Sequence, residues 1–196
     1  KAPQSVIVAG QVLDAKGTDS LEVLRAANEI FGGSFLSRFN TNLRETKGWS
    51  YGVRTQILGY RDRVSFVARA PVQSDRTGDS IRELQKDLAA FLGDKGVTAE
   101  ELTRMANGNV RELPGSFETS GDVLGGLQTI SNFRRGDDYY EKLADLYRGM
   151  TAQAVDAAAR THLRPDQLVY VETVKPQLDG LGLPVEVVAP AGPPAE

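Results

Sequence analysis

A hairpin signature set between two blocks of helical periodicity narrows the fold of this chain more than any other feature. Tyr51, Val53, Thr55 and Ile57 recur at every second position, the pattern of a strand buried on one face. Gly59-Tyr60-Arg61-Asp62 then supplies turn chemistry, and Val64 to Ala70 reads as the returning strand, closed by Pro71. Strands joined by so short a turn are antiparallel neighbours, so the sheet is expected to be mixed and mostly antiparallel.

The flanking blocks complete the pattern. Ser5 to Leu13 is rich in valine and isoleucine and reads as a strand. Asp19 and Glu22 have the spacing of a capping box for a helix through Phe31, with Gly32-Gly33 stopping it by positive φ. A shorter helix is expected from Phe35 to Lys47, with Leu36, Phe39 and Leu43 on one face and Gly48 ending it. Beyond the hairpin, Ile81, Leu84, Leu88 and Phe91 give helical spacing, and Thr98 with Glu101 makes a second capping box for a helix reaching Leu113. Helices over 118–132, 138–148 and 152–163 follow, then a strand over 167–174. Strands thus lie apart from a long run of helices, which implies α+β: a two-layer sandwich with helices on one face of the sheet.

A length of 196 residues suits one domain, expected over 1–175. Five of the nine prolines fall after Lys175, so 176–196 reads as a Pro/Gly-rich tail, with Val185 to Val188 as an edge strand. The net charge of −3, without any long basic run, gives no electrostatic basis for a nucleic-acid partner. No apolar stretch approaches the roughly 20 residues of a membrane span. The absence of cysteine excludes disulfides and thiolate sites, and the single histidine, His162, excludes any metal site needing two imidazoles from this chain. His162 is expected to be a surface or helix-terminal residue. A start at Lys1, without methionine or an apolar leader, reads as a processed or excised piece, and the compartment stays open between bacterial periplasm and cytoplasm.

The chemistry concentrates between Gly32 and Tyr51. Arg44 and Tyr51 lie on either side of the turn at Gly48, which can bring both out on one side. A guanidinium offers a planar fork suited to carbonyl oxygens and a phenol one directional donor, so the pair could grip a peptide backbone and steady an oxyanion. Neither is a base near neutral pH. Each also has a purely structural reading: Arg44 as a cation meeting the helix dipole, worth ~0.3–1 kcal/mol, and Tyr51 as a ring packed on a strand.

The order Gly-Gly-Ser-Phe-Leu-Ser-Arg-Phe, then Leu-Arg-Glu-Thr-Lys-Gly-Trp-Ser-Tyr ending at Tyr51, resembles the C-terminal, non-zinc half-domain of the pitrilysin (insulinase, mitochondrial processing peptidase-like) zinc metallopeptidases. The resemblance implies that Arg44 and Tyr51 contact substrate and that Gly32, Gly33 and Ser34 form a loop near its path. The zinc half of that family carries H-x-x-E-H, which is absent from this sequence. No metal site or cofactor is therefore expected in this chain, and Zn²⁺ belongs to a partner half, on the same polypeptide or a separate subunit. Alone, the chain is expected to be inactive. Peptides or unfolded proteins are the implied substrates, and self-association as a homodimer is expected when the partner is missing. The alternative from the same resemblance is a non-catalytic structural or assembly subunit.

Overall fold

The computed structural model describes residues 4–172. The expected tail over 176–196, with its edge strand at Val185 to Val188, lies outside them. Strand β1 (Gln4–Leu13) is followed by helix α1 (Glu22–Asn28) and then the short helix α2 (Arg38–Asn40). The hairpin comes next, as β2 (Arg54–Tyr60) and β3 (Arg63–Gln73). Helices α3 (Thr77–Leu92), α4 (Ala99–Glu112), α5 (Ser120–Phe133), α6 (Tyr139–Gly149) and α7 (Ala152–His162) lead to β4 (Val169–Glu172).

The sheet order is β2-β3-β1-β4, and every pairing is antiparallel. Alternation decides its two faces. Ile7, Ala9 and Leu13 of β1 and Val64, Phe66, Ala68, Ala70 and Val72 of β3 are buried beneath the helices. There Phe31 has its ring 5.9 Å from Phe39, 6.5 Å from Phe66 and 5.5 Å from Phe91. Each such ring taken from water contributes about 1.5–3 kcal/mol, so this cluster anchors α1, α2 and α3 to the sheet. The opposite face carries no described helix and shows Val12, Leu58 and Val169 to solvent, with Arg54 paired to Arg69 in register. This is the expected two-layer α+β arrangement.

Four local expectations are corrected. Pro71 lies inside β3 instead of closing it, because its carbonyl accepts from Ser50 Oγ and so points away from β1. The missing N–H of Pro71 shares that side, where β2 does not reach past Arg54–Arg69, and no ladder bond is lost. Asp19 does not cap α1: its Oδ2 accepts from Lys16 N at 2.7 Å, while Glu22 takes the Ser20 hydroxyl. Helical backbone after the glycines begins at Arg38, since Ser37 is extended and binds the Ser34 carbonyl through both N and Oγ. Finally, β2 begins at Arg54 and leaves Tyr51 outside the strand.

Candidate functional site

The glycine pair works by close approach. After Asn28 the helix widens into a π turn over Glu29–Gly33, and neither glycine has positive φ. A Cβ on Gly32 would lie 2.6 Å from both Cγ2 and Oγ1 of Thr55, and one on Gly33 would lie 2.8 Å from Asn28 Nδ2. Only glycine therefore lets the helix end seat against β2. Ser34 then turns extended, and Phe35 and Leu36 follow it into solvent, 64% and 59% exposed. Gly33 and Ser34 line a concavity of about 440 Å³ along the outer edge of β2, together with Asn28, Glu29 and Thr55. Burial raises the Glu29 carboxyl above its ordinary range; Asn109 Nδ2, donating at 2.7 Å, opposes this and the charge of Glu112 adds to it.

Arg44 sits in a second π turn, Thr41–Thr46. Its guanidinium carbon lies 4.3 Å from the centre of the Phe35 ring, and Nη1 is 2.8 Å from Glu45 Oε1. Gly48, at φ +66, then reverses the chain, and Trp49 N–H closes the helix end on the Leu43 carbonyl at 3.0 Å.

The loop bearing Tyr51 is fixed at its backbone and free at its tip. Gln73 N–H donates to the Trp49 carbonyl at 2.9 Å, Ser50 Oγ to the Pro71 carbonyl, and Val53 N–H to Asn40 Oδ1 at 2.9 Å. These bonds use groups that a strand ladder would need, which is why β2 starts late. The Tyr51 side chain is 92% exposed and borders a groove of about 440 Å³ with Trp49, Ser50 and Gln73. Its ring packs no strand.

The five residues singled out in the sequence thus fall into two groups. Arg44 meets Phe35, next to the glycine loop, while Tyr51 stands in its own groove, and the two side chains share no hydrogen bond. What joins the groups is Asn40, which the sequence reading passed over. Its buried amide accepts from Val53 N–H and donates to the Phe35 carbonyl at 2.7 Å, so one side chain clamps the loops on both sides. Its sequence signal was a polar residue between Phe39 and Leu43, in a stretch whose neighbours are core.

The described residues do not fit a catalytic zinc. His162 is the last residue of α7, and its carbonyl accepts from Gln11 Nε2. Among the described residues no three His, Cys, Asp or Glu side chains converge as a metal site, and no helix is long and apolar enough to cross a membrane.

The family model described as the peptidase M16 inactive domain matches residues 1–109. A peptidase M16 inactive domain from Pseudomonas fluorescens superposes with a TM-score of 0.76 at 26% identity, over 89% of this chain and 42% of that one. A protease from Helicobacter pylori gives 0.73 at 15% identity, over 87% and 41%. An inactive peptidase domain from Bordetella parapertussis gives 0.70 at 18% identity, over 89% and 94%. The last two show the fold alone. The chain therefore spans about two-fifths of the first two relatives and nearly the whole of the third. No curated protein matches it.

Proposed function

The chain belongs to the peptidase M16 family through its inactive domain, and from that premise we propose that it is the substrate-binding half of a two-part zinc endopeptidase. In this reading Arg44 holds carbonyl oxygens of an extended peptide, and Tyr51 donates its phenolic hydrogen to the oxygen that becomes negative at the scissile carbon. The zinc and the general base belong to a partner half bearing H-x-x-E-H, which docks where the two loops emerge. Substrates are peptides or unfolded chains, and the outer edge of β2 beside Gly33 and Ser34 suits backbone docking by strand addition.

The observation that carries this reading is the exposure of Tyr51. A tyrosine that stands 92% in solvent on a backbone pinned by Ser50, Gln73 and Asn40 packs against nothing among the described residues. Such an arrangement suits a donor held ready for a group arriving from outside, since donors fixed in advance lose nothing to reorganisation as charge develops. The open sheet face, with Val12, Leu58 and Val169 uncovered, further supports a partner.

Steady-state kinetics of the chain assembled with its H-x-x-E-H half provide the test. Tyr51→Phe should lower kcat by about 10²–10³-fold with little change in KM, because its hydrogen bond strengthens mainly in the transition state. Arg44→Ala should damage both parameters, since the guanidinium also grips the ground state. If Tyr51→Phe turns over like wild type, Tyr51 is no oxyanion donor and this reading is wrong; if Arg44→Ala does so too, the chain is a structural subunit.

A further inference from the structure

Arg44 is flanked on one side by the ring of Phe35. Phe35 is 64% exposed and outside any helix, and the Arg44 guanidinium carbon lies over its ring, 4.3 Å from the centre. A single exposed apolar ring is ordinary on a protein surface, but this one lies over a cation. Its backbone is fixed, by Asn40 Nδ2 on its own carbonyl and by Ser37 on the carbonyl of Ser34. The ring is therefore carried on a fixed backbone.

Resting on the reading of Arg44 as a peptide-binding residue, we propose that Phe35 is its positioning residue: the ring fixes the plane of the guanidinium so that its free donors face the substrate. A guanidinium carries five N–H donors in one plane. Glu45 engages Nη1 at one edge, and among the described residues no hydrogen bond holds the others. Glu45 alone would let the fork swing about that single contact. A ring face within about 6 Å attracts the cation, and a planar guanidinium favours stacking on an aromatic face, so the two contacts together restrict the fork. Phe35 acts through Arg44.

The experiment is a double-mutant cycle on the chain, read by the anisotropy of fluorescein-labelled β-casein, an unfolded polypeptide. Phe35 lies outside the core, so its variants should keep the wild-type circular dichroism. Phe35→Leu should weaken casein binding by about two- to fivefold, the size of an exposed cation–π contact. Phe35→Trp should bind like wild type, and Phe35→Leu should add nothing in an Arg44→Ala background. The Arg44 Nε–H resonance, displaced by the ring current in the wild type, should return to its ordinary position in Phe35→Leu. If Arg44→Ala weakens binding and Phe35→Leu does not, the positioning role is overturned and the reading of Arg44 stands. If the two losses add, Phe35 touches the peptide itself and the positioning role is again overturned. If wild type fails to hold casein, or Arg44→Ala holds it equally well, the reading of Arg44 fails and this proposal fails with it.

Discussion

Arg38→Ala tests whether the loop that presents Phe35 and Arg44 is held by one ion pair. Arg38 follows the glycine loop directly and reaches the start of α4, where Nε and Nη2 donate to the two carboxylate oxygens of Glu101 at 2.6 and 2.5 Å. It also donates to the carbonyls of Lys95 and Gly96, and its guanidinium carbon lies 5.1 Å from the centre of the Phe91 ring. Burial pushes the Glu101 carboxyl up, but hydrogen bonds from Arg38 and from the backbone and hydroxyl of Thr98, together with the Arg38 charge, outweigh it. The result is a fall from 4.5 to about 2. At about 1.4 kcal/mol per pH unit that displacement corresponds to about 3 kcal/mol. Arg38 and Glu101 keep 25% and 15% of their side-chain surface in water, which reduces the figure to about 2 kcal/mol.

The sign follows from the direction of the displacement. A carboxyl depressed in the folded state contributes its full stabilisation above 4.5 and loses it as pH falls towards about 2. Arg38→Ala should therefore cost about 1–2 kcal/mol at pH 7, because the Thr98 bonds to Glu101 remain, and progressively less between pH 4.5 and pH 3. Urea unfolding of both proteins across that range, followed by circular dichroism, measures the difference. A variant with the wild-type midpoint at pH 7, or with a deficit that stays constant down to pH 3, would refute the argument.

Two further outcomes follow from the site, beside those for Tyr51 and Phe35. Gly32→Ala should destabilise by about 1–3 kcal/mol, because its Cβ would meet Thr55 at 2.6 Å. Thr55→Ala in the same protein should restore most of that loss in urea unfolding, and an unperturbed Gly32→Ala would mean that helix and strand part freely. Glu29→Gln should raise the melting temperature at pH 7 and leave it nearly unchanged at pH 4. A carboxyl raised by burial costs the folded state stability as pH rises through its range, and glutamine keeps the acceptor for Asn109 without the charge. A Glu29→Gln protein that melts lower at pH 7 would count against this.

Legibility in the sequence ended where structure depended on distant partners. Helix α3 was readable because Ile81, Leu84, Leu88 and Phe91 repeat at the helical period and all four are buried. Helix α4 was readable because its capping box, Thr98 with Glu101, lies within three residues and forms as expected. The hairpin was readable for the same reason, its turn chemistry being contiguous. Gly32 was not, since the sequence shows a glycine but not whether it supplies positive φ or room, and the wall that demands room is Thr55.

The site follows the same rule and makes its consequence sharper. Alternation from Tyr51 to Ile57 suggested one strand, yet the register of side chains says nothing about where backbone hydrogen bonds go. Gly52 N–H turns to Ser50 Oγ and Val53 N–H to Asn40 Oδ1, so Tyr51 leaves the sheet and enters solvent. Asn40 is costly to bury and is kept between Phe39 and Leu43 because its amide meets both the Phe35 carbonyl and Val53 N–H. A hydrophobic residue there would pack as well but leave both backbone groups unpaired. The two segments carrying Phe35 and Tyr51 would then lose their common reference, although neither Arg44 nor Tyr51 had been touched. Placement of the candidate donors is thus a property of a buried polar contact between positions 13 apart, which no local period records.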